Sequence, residues 1–259
     1  MSDKTFYTSR LSGKRIVVFG GTSGIGFCVA EASIENGATV IISSSNEEKI
    51  YRTISRITES YPSAKGRISG HVVDLSNPST VDSDIARFFE KIGPVDHIVF
   101  TAGDKPTLQP LEACTVETMQ QGGMVRVFAA ILVAKHALKY LAKSNKSSLT
   151  LTSGAAAEKP SPSRWVVGGM YAGGLYSLVK TLAREMAPVR VNLVSPGPVD
   201  TELFKSAEIG QEILQNMAKT LPVGQVGEPQ DIAEAYLYLM KDKAATGSVI
   251  ASNGGWTLV

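Results

Sequence analysis

Cysteine is scarce in this chain, with only Cys28 and Cys114 present, and neither shares a metal-ligand spacing with His71, His97 or His136. Reduced thiols and no zinc site are therefore expected. Charge of one sign is also lacking: 26 basic and 24 acidic side chains leave a formal charge of +2. No basic stripe exists to neutralise a phosphate backbone, so nucleic acid is not an expected partner. Long apolar runs are absent too, the longest being Phe128 to Ala134, far below the roughly 20 residues that cross a bilayer. The polar start MSDKTFYTSRLSGKR has no apolar h-region. The mature chain is thus expected to begin near Met1, to stay off the membrane, and to have a cytoplasmic location by default.

What is present, across 259 residues with 43% hydrophobic and 19% charged content, is an alternation. Apolar β-branched runs occur at Arg15 to Phe19, Thr39 to Ser43, His71 to Val73, Val95 to Phe100, Leu149 to Thr152, Val189 to Val194 and Ser248 to Ala251. Helical stretches separate them at Gly24 to Asn36, Glu47 to Ser60, Pro78 to Lys91, Thr115 to Lys143, Val166 to Ala187 and Pro229 to Met240. Continuously apolar strands are covered on both faces, as in a parallel sheet with crossover helices. The expectation is an α/β Rossmann fold: one domain over residues 1–259, with a doubly wound parallel sheet of about seven strands. Two segments break the rhythm, Glu158 to Arg164 and Glu202 to Pro222. Both follow carboxyl ends of strands, where ligands bind in open sheets. They are candidate substrate walls, the alternative being plain surface connections.

The first strand runs into Gly20-Gly21-Thr22-Ser23-Gly24-Ile25-Gly26 and then a helix. Such a turn lets backbone amides approach a pyrophosphate, and the helix start adds N–H donors and a favourable dipole. At the end of the second strand an NAD enzyme usually places a carboxylate for the ribose hydroxyls. Here the residues are Ser43-Ser44-Ser45-Asn46. Hydroxyls and amides can donate to a 2′-phosphate that a carboxylate would repel, so Ser44 and Ser45 lean towards NADP(H), although no nearby Arg strengthens the choice over NAD.

With these features in place the chain resembles the short-chain dehydrogenase/reductase family over nearly its whole length. Gly20, Gly24 and Gly26 match the family's glycine turn, with Thr22, Ser23 and Ile25 between them; Asp74, followed by Leu75, matches its adenine-side acid. Thr101-Ala102-Gly103 stands where the family has Asn-Ala-Gly; Pro196, Gly197, Val199 and Thr201 match the segment flanking nicotinamide; and Asn253-Gly254-Gly255 resembles its Asp-Gly-Gly. The resemblance implies an NADP(H)-dependent oxidoreductase acting on a small molecule, with long helices that pair into a homodimer or homotetramer.

The family's proton-transfer residues are another matter. Ser153 ends the fifth strand where the family has its serine. A literal Tyr-x-x-x-Lys occurs as Tyr176 and Lys180, but Leu182-Ala183-Arg184-Glu185, Val191-Asn192 and Pro196-Gly197 place the family's tyrosine at Gly168 and its lysine at Ala172. Tyr176 is then eight residues late, roughly 12 Å along the helix and about 80° around it. Tyr171, one turn along from Gly168, is a weaker substitute and a candidate substrate contact. Arg126 occupies the family's asparagine position and, facing inward, needs an acceptor or an anion; the alternatives are an outward rotamer or a structural ion pair.

Chemistry without that acid is a question of charge. Hydride addition to a ketone makes an alkoxide that demands a proton, whereas addition to an iminium cation gives a neutral amine. Arginine is too weak an acid to donate that proton, so Arg126 is cast as a fixed hydrogen-bond donor. The pattern is similar to that of fungal indole-alkaloid enzymes that are both NADPH-dependent reductases and Diels–Alderases. That similarity implies catalytic roles for Arg126 and Ser153, a substrate stacked on Trp165, secondary metabolism, and a cyclisation as an optional further step. Ordinary packing is the other reading of Trp165. Those relatives carry an Asp in the loop where this chain has Ser161, Pro162 and Ser163, with Glu158 the nearest acid. The competing expectations are a redox-inactive binding protein or cyclase that retains the dinucleotide, and an ordinary carbonyl reductase using Tyr176 and Lys180.

Overall fold

The computed structural model describes residues 5–160, 164–206 and 211–259. Its frame is a seven-stranded, wholly parallel sheet in the order β3-β2-β1-β4-β5-β6-β7. The strands are β1 (Arg15–Phe19), β2 (Thr39–Ser44), β3 (Ile68–Val72), β4 (His97–Phe100), β5 (Ser148–Thr152), β6 (Arg190–Pro196) and β7 (Val249–Ser252). The helices are α1 (Gly24–Glu35), α2 (Glu47–Ser60), α3 (Val81–Ile92), α4 (Val116–Gly123), α5 (Ala129–Ala137), α6 (Val166–Glu185), α7 (Glu202–Ser206), α8 (Gln211–Thr220) and α9 (Pro229–Lys241). Among the described residues no helix is long and apolar enough to cross a membrane.

Each face of the sheet carries its own core. One side packs Val17, Phe19, Ile98, Leu149 and Leu193 against α3, α5 and α6. The other packs Ile16, Val18, Val40 and Val194 against α1 and α9. Alternate residues of one strand therefore bury into opposite layers, the reason β1 and β2 read as apolar runs, while β5 and β6 also bury the polar Ser148, Thr150 and Asn192. Strand order reverses between β1 and β4, which leaves a crevice at their carboxyl ends. The pairings Phe19↔Phe100, Thr152↔Val194 and Pro196↔Ser252 set Gly20, Thr101, Ser153 and Gly197 along this rim.

The expected elements are all found, with three local differences. Strand β3 starts at Ile68 rather than His71; it is the sheet edge, with Val72 exposed, and so carries the polar Ser69 and His71. The helix expected over Thr115 to Lys143 is broken: α4 ends at Gly123, a π-helical turn spans Met124–Phe128, and α5 follows. Gly122 and Gly123 are poor helix formers and permit close approach of another helix. The insertion Glu202 to Pro222 contains α7 and α8. Residues 207–210 of that insertion, and Ser161, Pro162 and Ser163 of the other expected wall, lie outside the described residues.

A buried histidine makes one consequence of this packing measurable. His97 in β4 places Nδ1 2.8 Å from Ser148 Oγ on β5. Burial and then the Arg190 charge lower its pKa from 6.5 to about 3. The unfolded chain binds a proton below about pH 6.5 that the folded chain refuses, so stability present above that pH is lost as pH falls, at about 1.4 kcal/mol per unit. Urea midpoints of the wild type and His97→Gln, taken between about pH 7 and pH 5, should show a shallower acid loss in the variant. Parallel losses would clear His97.

Candidate active site

The glycine turn brings three elements together. Gly20 adopts φ +80°, and a Cβ on it would sit 2.7 Å from the backbone of Ala102. A Cβ on Gly26 would lie 2.3 Å from the Gly20 carbonyl oxygen and 2.4 Å from Thr101 Oγ1. Helix α1 thus starts directly against the ends of β1 and β4, which leaves its first amides facing the crevice. Ser23 is the N-cap residue, extended at φ −157°, and its side chain caps nothing. The Thr101 hydroxyl is spent on the Phe19 carbonyl at 2.9 Å. From across the crevice, Thr201 approaches Gly24, its methyl 3.1 Å from where a Cβ would stand.

The segment after β6 supplies the other wall. Gly197 lies so close to Asn253 that a Cβ would meet its backbone at 2.7 Å. Val199 bridges Gly227, and Thr201 Oγ1 accepts from the Phe204 amide at 3.3 Å, which starts α7. At the adenine end, Asp74 Oδ1 accepts from the Ser76 amide (2.8 Å) and hydroxyl (2.7 Å), with Leu75 buried behind. Ser44 Oγ accepts from the Asn46 amide at 3.3 Å, which leaves its own proton to donate, and Ser45 is exposed beside it. The chain therefore presents backbone amides for a pyrophosphate, a carboxylate beyond β3, and two hydroxyls at the end of β2. This donor set fits a dinucleotide, and it is a cradle that side chains at Gly20 or Gly26 would fill.

The reactive end is built differently from the dinucleotide end. Ser153 Oγ donates to the Ala172 carbonyl at 2.9 Å, so its proton is committed to α6. Gly168, one turn earlier, faces the Trp165 ring, which a Cβ would meet at 2.9 Å. Tyr171 directs its hydroxyl to the Met119 carbonyl at 2.8 Å, into α4 rather than towards a ligand. The Tyr176 phenol donates to Glu158 at 2.5 Å, and its oxygen lies 2.8 Å from Ser195 Oγ. Burial, reinforced by the Glu158 carboxylate, pushes its pKa up to about 12. Lys180, one turn further along α6, is exposed.

Arg126, in the π-helical turn, turns inward and finds its anion in Asp104. Its Nε lies 3.3 Å from Asp104 Oδ1, and Nη2 donates to the Asp104 carbonyl oxygen. The guanidinium also lies against Gly103, where a Cβ would meet Nη1 at 2.8 Å. Burial raises the Asp104 pKa against the opposing pull of Arg126, and burial likewise lowers that of Arg126. Asp104 is not among the residues expected from sequence, although a carboxylate directly after Thr101-Ala102-Gly103 is a visible candidate for the partner that Arg126 requires. Equally unexpected is a tether on the loop after β5, where Lys159 donates to the Trp256 carbonyl at 3.3 Å and lies over its ring.

Comparison with known proteins agrees with this geometry. Residues 7–259 match the SDR-like Rossmann domain. The chain is 42% identical over 259 residues to the short-chain dehydrogenase/reductase fsr5 of Gibberella fujikuroi, with 97% of each chain covered. The structure of the MalC reductase/Diels-Alderase from Malbranchea aurantiaca superposes with a TM-score of 0.90 at 35% identity, covering 97% of this chain and 99% of that one. A small-chain dehydrogenase in complex with NADPH superposes at 0.76, with 30% identity and 96% and 100% coverage.

Proposed function

The chain belongs to the short-chain dehydrogenase/reductase family, and from that premise we propose an NADP(H)-dependent reductase of secondary metabolism whose acceptor is already electron-poor, an imine or iminium. The observation that carries this reading is the pair Gly168 and Ala172. Neither position carries a phenol or an ammonium at the helix turn whose carbonyl Ser153 holds, and the phenol that does lie on that turn, Tyr171, is turned to the Met119 carbonyl. Tyr176 offers no replacement, because its proton is held by Glu158 and its pKa is high rather than lowered by a neighbouring cation. The NADPH complex of one relative and the amide-lined turn support the choice of cofactor. Gly20 to Gly26, Ser44, Ser45, Asp74, Ala102 and Pro196 to Thr201 would hold it.

When bound, NADPH supplies a hydride from its nicotinamide ring. Addition to an iminium carbon sends the C=N electron pair to nitrogen, and the neutral amine that results calls for no proton; a neutral imine reaches the same balance by taking a proton from solvent to become the iminium before hydride arrives. The Arg126–Asp104 pair suits such an acceptor because the two charges cancel locally, leaving no net positive charge to repel a cation. Arg126 retains N–H groups beyond those used by Asp104, and these can hold a substrate carbonyl. A carbonyl held that way is also polarised as a dienophile, so the activity named for MalC is available here as a step after reduction. Trp165, lying over Gly168, forms an apolar floor beside this site.

The test is NADPH oxidation across a panel of cyclic imines, iminium salts and aldehydes. Turnover confined to the imine arm is expected, and Arg126→Ala should lower it by about 10²-fold with NADPH affinity within about twofold. Equal losses in turnover and affinity would reassign Arg126 to the nucleotide. Tight NADPH binding with no oxidation by any compound would favour a redox-inactive role. Loss of turnover in a folded, NADPH-binding Tyr176→Phe variant would restore the ordinary carbonyl-reductase mechanism.

A further inference from the structure

Helix α6 meets α4 through two residues one turn apart, Val167 and Tyr171, and opposite them stand the two consecutive glycines. A Cβ on Gly122 would meet Val167 Cγ1 at 2.7 Å, and one on Gly123 would meet the Tyr171 ring at 2.3 Å. The Tyr171 hydroxyl reaches back to the Met119 carbonyl at 2.8 Å, while the ring stands edge-on to Phe128 with centroids 6.0 Å apart. Met119 precedes the π-helical turn and Phe128 ends it, with Arg126 between them. One side chain thus grips both flanks of the turn that carries the arginine, and the glycine beneath the ring makes the grip possible. A π turn inserts an extra residue into the helix and rotates the residues beyond it, so its position decides which side chain faces the crevice. On the observed path Arg126 faces Asp104, its Nε 3.3 Å from Oδ1.

We propose that Tyr171 is a positioning residue: by clamping Met119 and Phe128 over Gly123, it fixes the π turn that directs Arg126 onto Asp104 and into the site. The consequence for turnover rests on the role given to Arg126 above; the consequence for Arg126 geometry does not.

The Arg126 Nε–H resonance, identified by its disappearance in Arg126→Lys, reads that geometry directly in the NADPH-bound protein. Its exchange with water should speed up at least about fivefold in Tyr171→Phe, which loses only the hydroxyl, and further in Tyr171→Leu. Exchange unchanged in both folded variants would overturn the proposal. Gly123→Ala should act like Tyr171→Leu, because its methyl displaces the ring. Adding Tyr171→Ser to Gly123→Ala removes that collision. Recovery of Arg126 protection in the double variant would mean that Tyr171 merely fills space and would overturn the clamp; continued loss supports it. On the best imine of the panel, Tyr171→Leu should lower kcat by about 10²-fold, with NADPH affinity within about twofold. Lost protection with kcat intact would overturn the assignment of Arg126 to turnover while leaving the clamp standing.

Discussion

Replacing Arg190 by Met is expected to lower the stability of the fold by about 3–5 kcal/mol and the Tm by on the order of 10 °C. Arg190 opens β6 and is only 2% exposed. Its guanidinium donates to four backbone carbonyls: Asn145 at 2.7 Å, Leu239 at 2.5 Å, Met240 at 3.1 Å and Ala245 at 3.3 Å. Leu239 and Met240 belong to the last turn of α9, whose carbonyls have no partners of their own within the helix and carry its negative dipole end. Arg190 therefore ties the chain before β5, the end of α9 and the start of β6 into one joint. Met fills much of the volume but leaves those acceptors unsatisfied and buried, at about 1–3 kcal/mol each before relaxation. Lys restores the charge without the planar fork and should recover less than half of the loss. Thermal and urea unfolding of the three proteins measure this, and a Tm drop of only about 2 °C for Met would show that water replaces the guanidinium.

The same joint shows where a sequence stops being informative. Arg190 looks, in sequence, like a charged residue at a strand boundary; nothing local tells that four carbonyls from three distant segments converge on it. Strands β1 and β2 are legible because both their faces are buried, which forces a run of apolar residues, whereas β5 and β6, equally buried, also admit Ser148, Thr150, Arg190 and Asn192. The edge strand β3 is blurred because one of its faces carries no such demand. At the dinucleotide end, the glycine turn is legible because close backbone approach admits no other residue. The gaps at Gly168 and Ala172 are legible by counting from fixed anchors, and Arg126 stands out as a cation in need of a partner. The partner, Asp104, is visible in sequence only as a candidate, because the pairing itself depends on a bend at Met124–Phe128 that no periodicity announces. Tyr171 looks ligand-facing because it lies one turn from Gly168. Its hydroxyl belongs to Met119 instead, a contact made possible by a glycine 48 positions earlier in the chain.

Gly26→Ala is expected to abolish measurable NADPH binding, a loss of at least about 10³-fold, while leaving a folded protein destabilised by about 1–3 kcal/mol. One methyl group has this effect because of what it meets. It would stand 2.3 Å from the Gly20 carbonyl oxygen and 2.4 Å from Thr101 Oγ1. The first is backbone, and the second is fixed by its own bond to the Phe19 carbonyl. Neither can rotate away, so the start of α1 must lift from the ends of β1 and β4. That displacement pulls the N-terminal amides and the dipole of α1 off the pyrophosphate position together, so several charge-assisted hydrogen bonds are weakened at once. Gly13→Ala is the matched control: it also has positive φ, at +69°, but a Cβ there meets nothing within 4 Å. It should cost about 1 kcal/mol in stability and leave NADPH affinity unchanged. Titration of NADPH fluorescence with each variant separates the two effects. Wild-type affinity in Gly26→Ala would mean that the glycine turn is only a tight connection between β1 and α1, and the dinucleotide would have to be sought elsewhere on the sheet.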